Sequence, residues 1–205
     1  MKNSYNKIAG HDLGRIVAIS DAVFGVAMTL LVLEIKIPEV NGKEIDLINA
    51  FLKLLPKFLV YFLSFLTAGI FWMGQAAQFE FIKKSDRNLN WINLIFLLFV
   101  SVLPFSTAFL GDYIHYHFGV GIYWLNLFLM GLMLYVNWHY AIKNGLVSTA
   151  DAEEASDGIK TRIIESQTLY FIGALLSFFN TYLAISIIII IQLNYAFAFF
   201  KSKNR

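Results

Sequence analysis

Cysteine is absent from the sequence, proline occurs three times, and charged residues fill only 15% of its 205 positions. Without cysteine the chain has neither a disulfide framework nor a thiolate metal site. With so little charge, a hydrophobic content of 58% and a mean hydropathy of +0.63 exclude an ordinary soluble domain. The net charge is only +2, and the absence of clustered bases leaves no footprint for nucleic acid. A cleavable leader is not expected either: the first apolar run follows polar residues through Asp12, is too long for a signal core and lacks a small-x-small end. What remains is an all-α integral membrane protein, with the lipid bilayer as its solvent.

A membrane span needs roughly 20 mostly apolar residues. Six stretches meet that: Arg15 to Ile37, Pro56 to Ile82, Leu89 to Gly111, Gly119 to Ile142, Arg162 to Phe179 and Tyr182 to Phe200. The last two are parted only by Asn180 and Thr181, and the whole chain, residues 1–205, reads as a single domain. Twelve of the sixteen basic residues then fall on one side, including Lys2, Lys7, Lys201, Lys203 and Arg205, and Lys36, Lys43, Lys53 and Lys57 on the other. That bias predicts a multi-pass protein of the cell (inner) membrane with both termini cytoplasmic.

Between the first two spans, Leu47 to Leu55 is amphipathic and is expected to lie along the outer interface, with Pro56 in the first turn of the next helix. Asp151 to Asp157 (DAEEASD) reads as a solvated cytoplasmic loop. His115 and His117 lack a third ligand nearby and are read as a hydrated interfacial pair rather than a metal site. Tyr123, Trp124 and Trp138 are expected as interfacial anchors. Pro104 is expected to kink the third span. Asn126, Asn137, Gln167, Gln192 and Asn194 read as hydrogen-bond partners between helices.

The first span, RIVAISDAVFGVAMTLLVLEIKI, carries Arg15, Ser20 and Asp21 where a plain anchor would carry none. Ionisable residues inside a span are costly and point to function. At about 100° per residue, Ala22, Val26, Thr29 and Leu33 lie close to one line through Arg15, with Ile19, Leu30 and Ile37 beside it. Phe24, Met28 and Leu31 lie behind. Arg15 and Asp21 are six residues apart, so they cannot pair within one helix. Each needs a partner on another helix or another subunit, and Trp72, Gln75 and Asn93 sit at a matching depth on the second and third spans.

These residues resemble the transmembrane protein 175 family of potassium channels. Its prokaryotic members carry Arg-x-x-x-Phe-Ser-Asp on the first helix, matched here by Arg15, Ser20 and Asp21, with Ile19 in place of the aromatic. The following AVFGVAMTLLVLEI, the WMGQ segment at Trp72, and NLIFLLFVSVLPFSTAFLGDY from Asn93 to Tyr113 are also similar. Gln75-Ala76 stands where the family usually has His or Asn.

The resemblance implies six helices per repeat and, for a single-repeat chain, a homotetramer whose first helices line a central pore. By position it puts apolar constrictions on Val26, Leu30 and Leu33, a selectivity-linked hydroxyl on Thr29, and a structural polar network on Arg15, Ser20, Asp21, Trp72, Gln75 and Asn93. No TVGYG run is present to build a carbonyl filter. An apolar constriction instead gates by dewetting and by the cost of stripping a hydrated ion. Potassium sheds water more readily than sodium, so modest potassium selectivity is expected, with potassium as the permeant ion and no resident cofactor or metal.

Two other classes fit the sequence less well. A secondary transporter or proton-coupled carrier would bind its coupling ion at Asp21, but it usually shows repeats and broken helices at mid-membrane, and neither is evident. A membrane enzyme needs His, Asp, Glu, Ser or Cys gathered at one depth, and four scattered histidines do not supply that.

Overall fold

The computed structural model describes residues 12–197, without the side chains of 151–154 and 195–197. Lys2, Lys7, Lys201, Lys203 and Arg205, counted above for orientation, lie outside the described residues. Among these, seven helices follow one another: α1 Leu13–Leu33, α2 Glu44–Leu52, α3 Leu55–Phe81, α4 Arg87–Asp112, α5 His117–Lys143, α6 Thr149–Leu176 and α7 Thr181–Phe197. Four of them, α1, α3, α4 and α5, are long and apolar enough to cross a membrane. α6 is long but polar over its first half, and α7 is apolar but shorter.

The spans α3, α4 and α5 lie within two residues of the sequence expectation at each end. α1 stops earlier than Ile37, at Leu33, with Glu34 as its C-cap. Pro38 disfavours helical backbone in the residue before it, and the chain runs irregularly to α2. α2 begins where the Lys43 N–H donates to the Asp46 carboxylate at 2.9 Å, and its Ile45, Leu47, Ile48, Phe51 and Leu52 stay about half exposed. Phe51 leans on Phe58 of α3 with ring centroids 5.9 Å apart, and Leu47, Ile48 and Phe51 line an apolar cavity with Val32 and Ile37 at the end of α1. Pro56 falls in the first turn of α3, where its missing N–H costs nothing.

Asp151 to Asp157 forms the start of α6 rather than a loop. Charge patterning reports solvation, and a solvated segment is as compatible with an exposed helix as with a turn. Tyr123 and Trp138 are fully buried inside the bundle, not at an interface, and Trp124 is half-buried. The Tyr123 hydroxyl meets Ser64 and Thr67 at 3.2 and 2.9 Å, while Trp138 lies edge-on to Phe81. An aromatic ring with a polar tip suits the interior when the tip finds a partner, as Tyr123 does; Trp138 is buried by its ring, and its Nε1 has no hydrogen-bond partner among the described residues. Apart from Asn126 and Asn137, α5 is apolar on every side through the bundle, so hydropathy alone does not separate its inner aromatics from its outer ones.

The bundle is stitched by polar side chains turned inward, as expected where lipid is the outer solvent. Asn137 donates to Gln78 Oε1 at 2.9 Å, Asn126 to Ser106 Oγ at 3.1 Å, and Gln167 to the Leu127 carbonyl at 3.3 Å. Gln192 donates to Thr67 Oγ1. α4 continues through Pro104 to Asp112.

α5 ends in a Schellman turn. Gly145, at φ +66°, supplies the left-handed residue, and the N–H groups of Gly145 and Leu146 return to the carbonyls of Ile142 and Ala141. The chain then pairs Val147 with Ile82, tying the α5–α6 turn to the α3–α4 turn. On the opposite side His115 meets the Tyr182 hydroxyl at 3.3 Å, and His117 stacks on Phe178.

Candidate functional site

α1 has two unlike sides. Ile16, Ser20, Phe24, Ala27 and Leu31 are buried, a stripe spaced three or four residues apart that faces α3 and α4. Phe24 meets Phe96 of α4 with ring centroids 5.9 Å apart. The other side is bare: Val26 is 57% exposed, Leu30 42% and Leu33 64%. Ala22 and Thr29 are exposed with them.

Three helices meet at one buried polar point. Ser20, Gln75 and Asn93 are each only 2% exposed. Gln75 Nε2 donates to Asn93 Oδ1 at 2.5 Å, and Gln75 Nε2 and Asn93 Nδ2 both donate to Ser20 Oγ, at 3.3 and 3.2 Å. Ser20 passes its own hydrogen to the Ile16 carbonyl at 2.8 Å. The hydroxyl thus gives one bond and takes two, which is its full capacity.

Asp21, next in sequence, is exposed, and its Oδ1 accepts a 2.7 Å bond from Trp72 Nε1. Indole nitrogen only donates and a carboxylate only accepts, so the bond has one possible direction. It fixes Asp21 at the rim of the bare face. Arg15 joins neither arrangement: it is exposed and has no hydrogen-bond or ion-pair partner among the described residues. Helical geometry accounts for this, because six residues put it about 120° from Asp21.

Thr29 donates its hydroxyl hydrogen back to the carbonyls of Gly25 and Val26, at 3.0 and 2.8 Å. Its oxygen lone pairs are therefore left facing outward, where they can accept from water or meet a cation. Beside it, α1 and α4 enclose a shallow apolar cavity of about 260 Å³ lined by Ala22, Val23, Val26, Ala27, Leu30 and Ser101. At the far end of α1, Glu34 lies near Lys57 and Asp112, which form a 2.5 Å ion pair between α3 and α4.

Of a second buried polar cluster, only Gln192 stood out in the sequence, as a hydrogen-bond partner between helices. The hydroxyls of Tyr123 on α5, Ser64 and Thr67 on α3 and Thr107 on α4 are linked to one another, with Thr107 donating to Ser64 at 2.8 Å, and the Gln192 amide of α7 donates to Thr67. Its signal was the set Ser64, Thr67, Gln75 and Gln78 along one side of α3. This polar stripe faces inward, while Phe62, Phe65 and Met73 face out.

The family profile described as the endosomal/lysosomal potassium channel TMEM175 matches residues 15–104, which hold every residue of the Ser20 and Asp21 arrangements. A potassium channel of Streptomyces collinus is 33% identical over 139 residues, 66% of this chain and 67% of that one. A potassium channel of Chamaesiphon minutus is 28% identical over 191 residues, 90% of this chain and 94% of that one. The crystal structure of a lysosomal potassium-selective channel TMEM175 homolog from Chamaesiphon minutus aligns with a TM-score of 0.79 at 26% identity, over 90% of this chain and 96% of that one. On the matched helices α1, α3 and α4 and on relatives aligned over most of their own length, this chain is a multi-pass membrane protein of the TMEM175 family.

Proposed function

We propose that the protein is a modestly potassium-selective cation channel, assembled as a homotetramer around a pore lined by α1. The observation that carries this reading is the bare apolar face of α1, set opposite a face held by Ser20 and Phe24. A helix face turned only to lipid has no use for Asp21 at its rim and Thr29 along its length. One copy of that face cannot enclose a route, so closed cyclic symmetry is required. The relatives named as potassium channels supply the choice of ion.

In this arrangement Val26, Leu30 and Leu33 form the constriction, and water leaves it unless the pore widens. Thr29, one turn below Leu33, offers the oxygen that offsets partial loss of an ion's hydration shell. Ser20, Gln75 and Asn93 set the rotation of α1, and Trp72 holds Asp21 aside from the route. Arg15, bare in one chain, meets a partner across the subunit boundary. α6 and α7 complete six spans with α1, α3, α4 and α5, while α2 lies on the outer surface. Lys83, Lys84, Arg87, Lys143, Lys160 and Arg162 then lie on the cytoplasmic side of the cell membrane, together with both termini.

Purified protein in planar bilayers tests the reading. Ohmic potassium current, an assembled mass of four chains, and weaker potassium over sodium preference in Leu30→Ala and Leu33→Ala are expected. Unchanged selectivity in both variants contradicts the constriction. Strictly coupled, saturable exchange, abolished by Asp21→Asn, would instead assign the protein as a carrier.

A further inference from the structure

Two exposed features flank the bare face of α1, one on either side. On the first flank α4 runs parallel to α1 and level with it: Asn93, 73 residues after Ser20, bonds to it, and Phe96 meets Phe24 one turn on. Leu98 and Phe105 stand out from α4, 58% and 63% exposed, on the side where Ser101 borders the bare face. On the second flank the end of α1, α2 and the start of α3 enclose an apolar groove of about 520 Å³, with Val32, Ile48, Phe51 and Phe58 in its walls. Lys36 is the single charged residue among the described ones that line it. Two turns before Val32, Gly25 leaves α1 bare, for a Cβ there would meet no atom within 4 Å.

The two flanks match in depth and in direction. Copies arranged around an axis normal to the membrane are related by rotation alone, so side chains that meet across a subunit boundary lie at one depth. Carried up α4, the 73-residue offset sets Leu98 level with Gly25 and Phe105 level with Val32. A protruding side chain stands level with a recess twice over. Within α1, at about 100° per residue, Gly25 and Val32 lie opposite Val23 and Ala27, which adjoin Ser101 of α4. With the bare face turned to the axis, the flanks therefore point at the neighbours on either hand. Lipid tails are as apolar as these side chains, so exposure selects no partner by itself; complementary shape does.

Resting on the channel reading above, we propose that consecutive subunits pack head to tail, α4 of one copy against the second flank of the next. Phe105 seats in the neighbour's groove against Val32, Ile48 and Phe51, and Leu98 crosses the gap left by Gly25. α2 then acts as a clasp on the adjoining subunit. Because Val32 precedes Leu33 of the proposed constriction, each α4 also buttresses the pore helix of the copy beside it.

The chain has no cysteine, so introduced thiol pairs report the contact in the full-length protein. In Phe105→Cys/Ile48→Cys the reach of the ring is lost, and a short bifunctional maleimide bridges the gap; gels are expected to show a ladder of two, three and four joined chains. Leu98→Cys/Gly25→Cys is expected to give the same ladder on direct oxidation. Each single-cysteine variant is expected to stay at one chain. So is Ile48→Cys combined with Ile172→Cys, an exposed position on α6.

Joined dimers from Phe105→Cys or Leu98→Cys alone would mean that α4 meets its own copy, and a ladder from the Ile172 pair that the contact is indiscriminate; either overturns the proposal. If the Phe105 pair fails to assemble, the Leu98 pair decides. Native mass spectrometry of the wild type separates this packing from the reading it rests on. Four chains with no ladder from either pair refute the packing and leave the channel standing, whereas a single chain removes both. Four chains with no ladder, each holding a lipid that Ile48→Trp expels, would give the groove to an acyl chain and equally refute the packing.

Discussion

The polar cluster around Ser20 joins α1 to α3 and α4, whereas the cluster around Tyr123 joins α3, α4, α5 and α7 and leaves α1 out. The first is three side chains meeting at one oxygen. The second is a run of hydroxyls from three helices, joined by the Gln192 amide of a fourth, in which each bond strengthens its neighbour. The contrast separates the molecule into a scaffold that is stitched at several levels and one helix attached to it by a packed stripe, the buried Ser20 node and the exposed Asp21–Trp72 bond. In the proposed channel, a first helix held this way could change its rotation without dismantling the rest, with the Ser20 node and the Asp21–Trp72 bond as its restraints.

That division can be broken in a graded way. The largest effect is expected from Phe24→Ala, which removes the ring packed on Phe96; such a truncation costs about 3 to 5 kcal/mol and should undock α1, read as loss of the assembled oligomer on size exclusion. Asn93→Leu comes next. It strips Ser20 of one donor and Gln75 of its acceptor, a cost of about 1 to 3 kcal/mol, and should alter open probability while the oligomer survives. Tyr123→Phe removes one hydroxyl from the scaffold cluster and should lower thermal stability by about 1 kcal/mol with currents unchanged. Gating that follows Tyr123 and ignores Asn93 would invert the comparison.

Much of this was readable from the residues. α3, α4 and α5 announced themselves by length and apolarity. Helical spacing put Phe24 and Leu31 behind the Val26 and Leu33 line, and the structure buries both against the neighbouring helices. The partners of the two polar residues were legible only as candidates at a common depth. Which of them bonds to which depends on helix rotation, and Trp72 took Asp21 while Gln75 and Asn93 took Ser20.

Other features were hidden for definite reasons. Hydropathy measures transfer into lipid, so it does not separate a lipid-facing aromatic from one inside the bundle, and Tyr123 and Trp138 were misplaced on that account. The charges of Asp151 to Asp157 signalled water and nothing about backbone form. The groove lined by Val32, Ile48 and Phe58 arises from the packing of three successive helices, and no local pattern carries it.

The absence of cysteine permits a direct test of the α1 face, since any thiol introduced is the only one. Silver ions, small enough to follow potassium and bound far more tightly by thiolate than by the methionine and histidine side chains of the parent, would be applied to single channels of Val26→Cys, Leu30→Cys and, as an outward-facing control on α3, Phe62→Cys. The account predicts rapid irreversible block of the first two and unaltered current in Phe62→Cys and the cysteine-free parent. Current through Val26→Cys and Leu30→Cys that silver leaves untouched would contradict it.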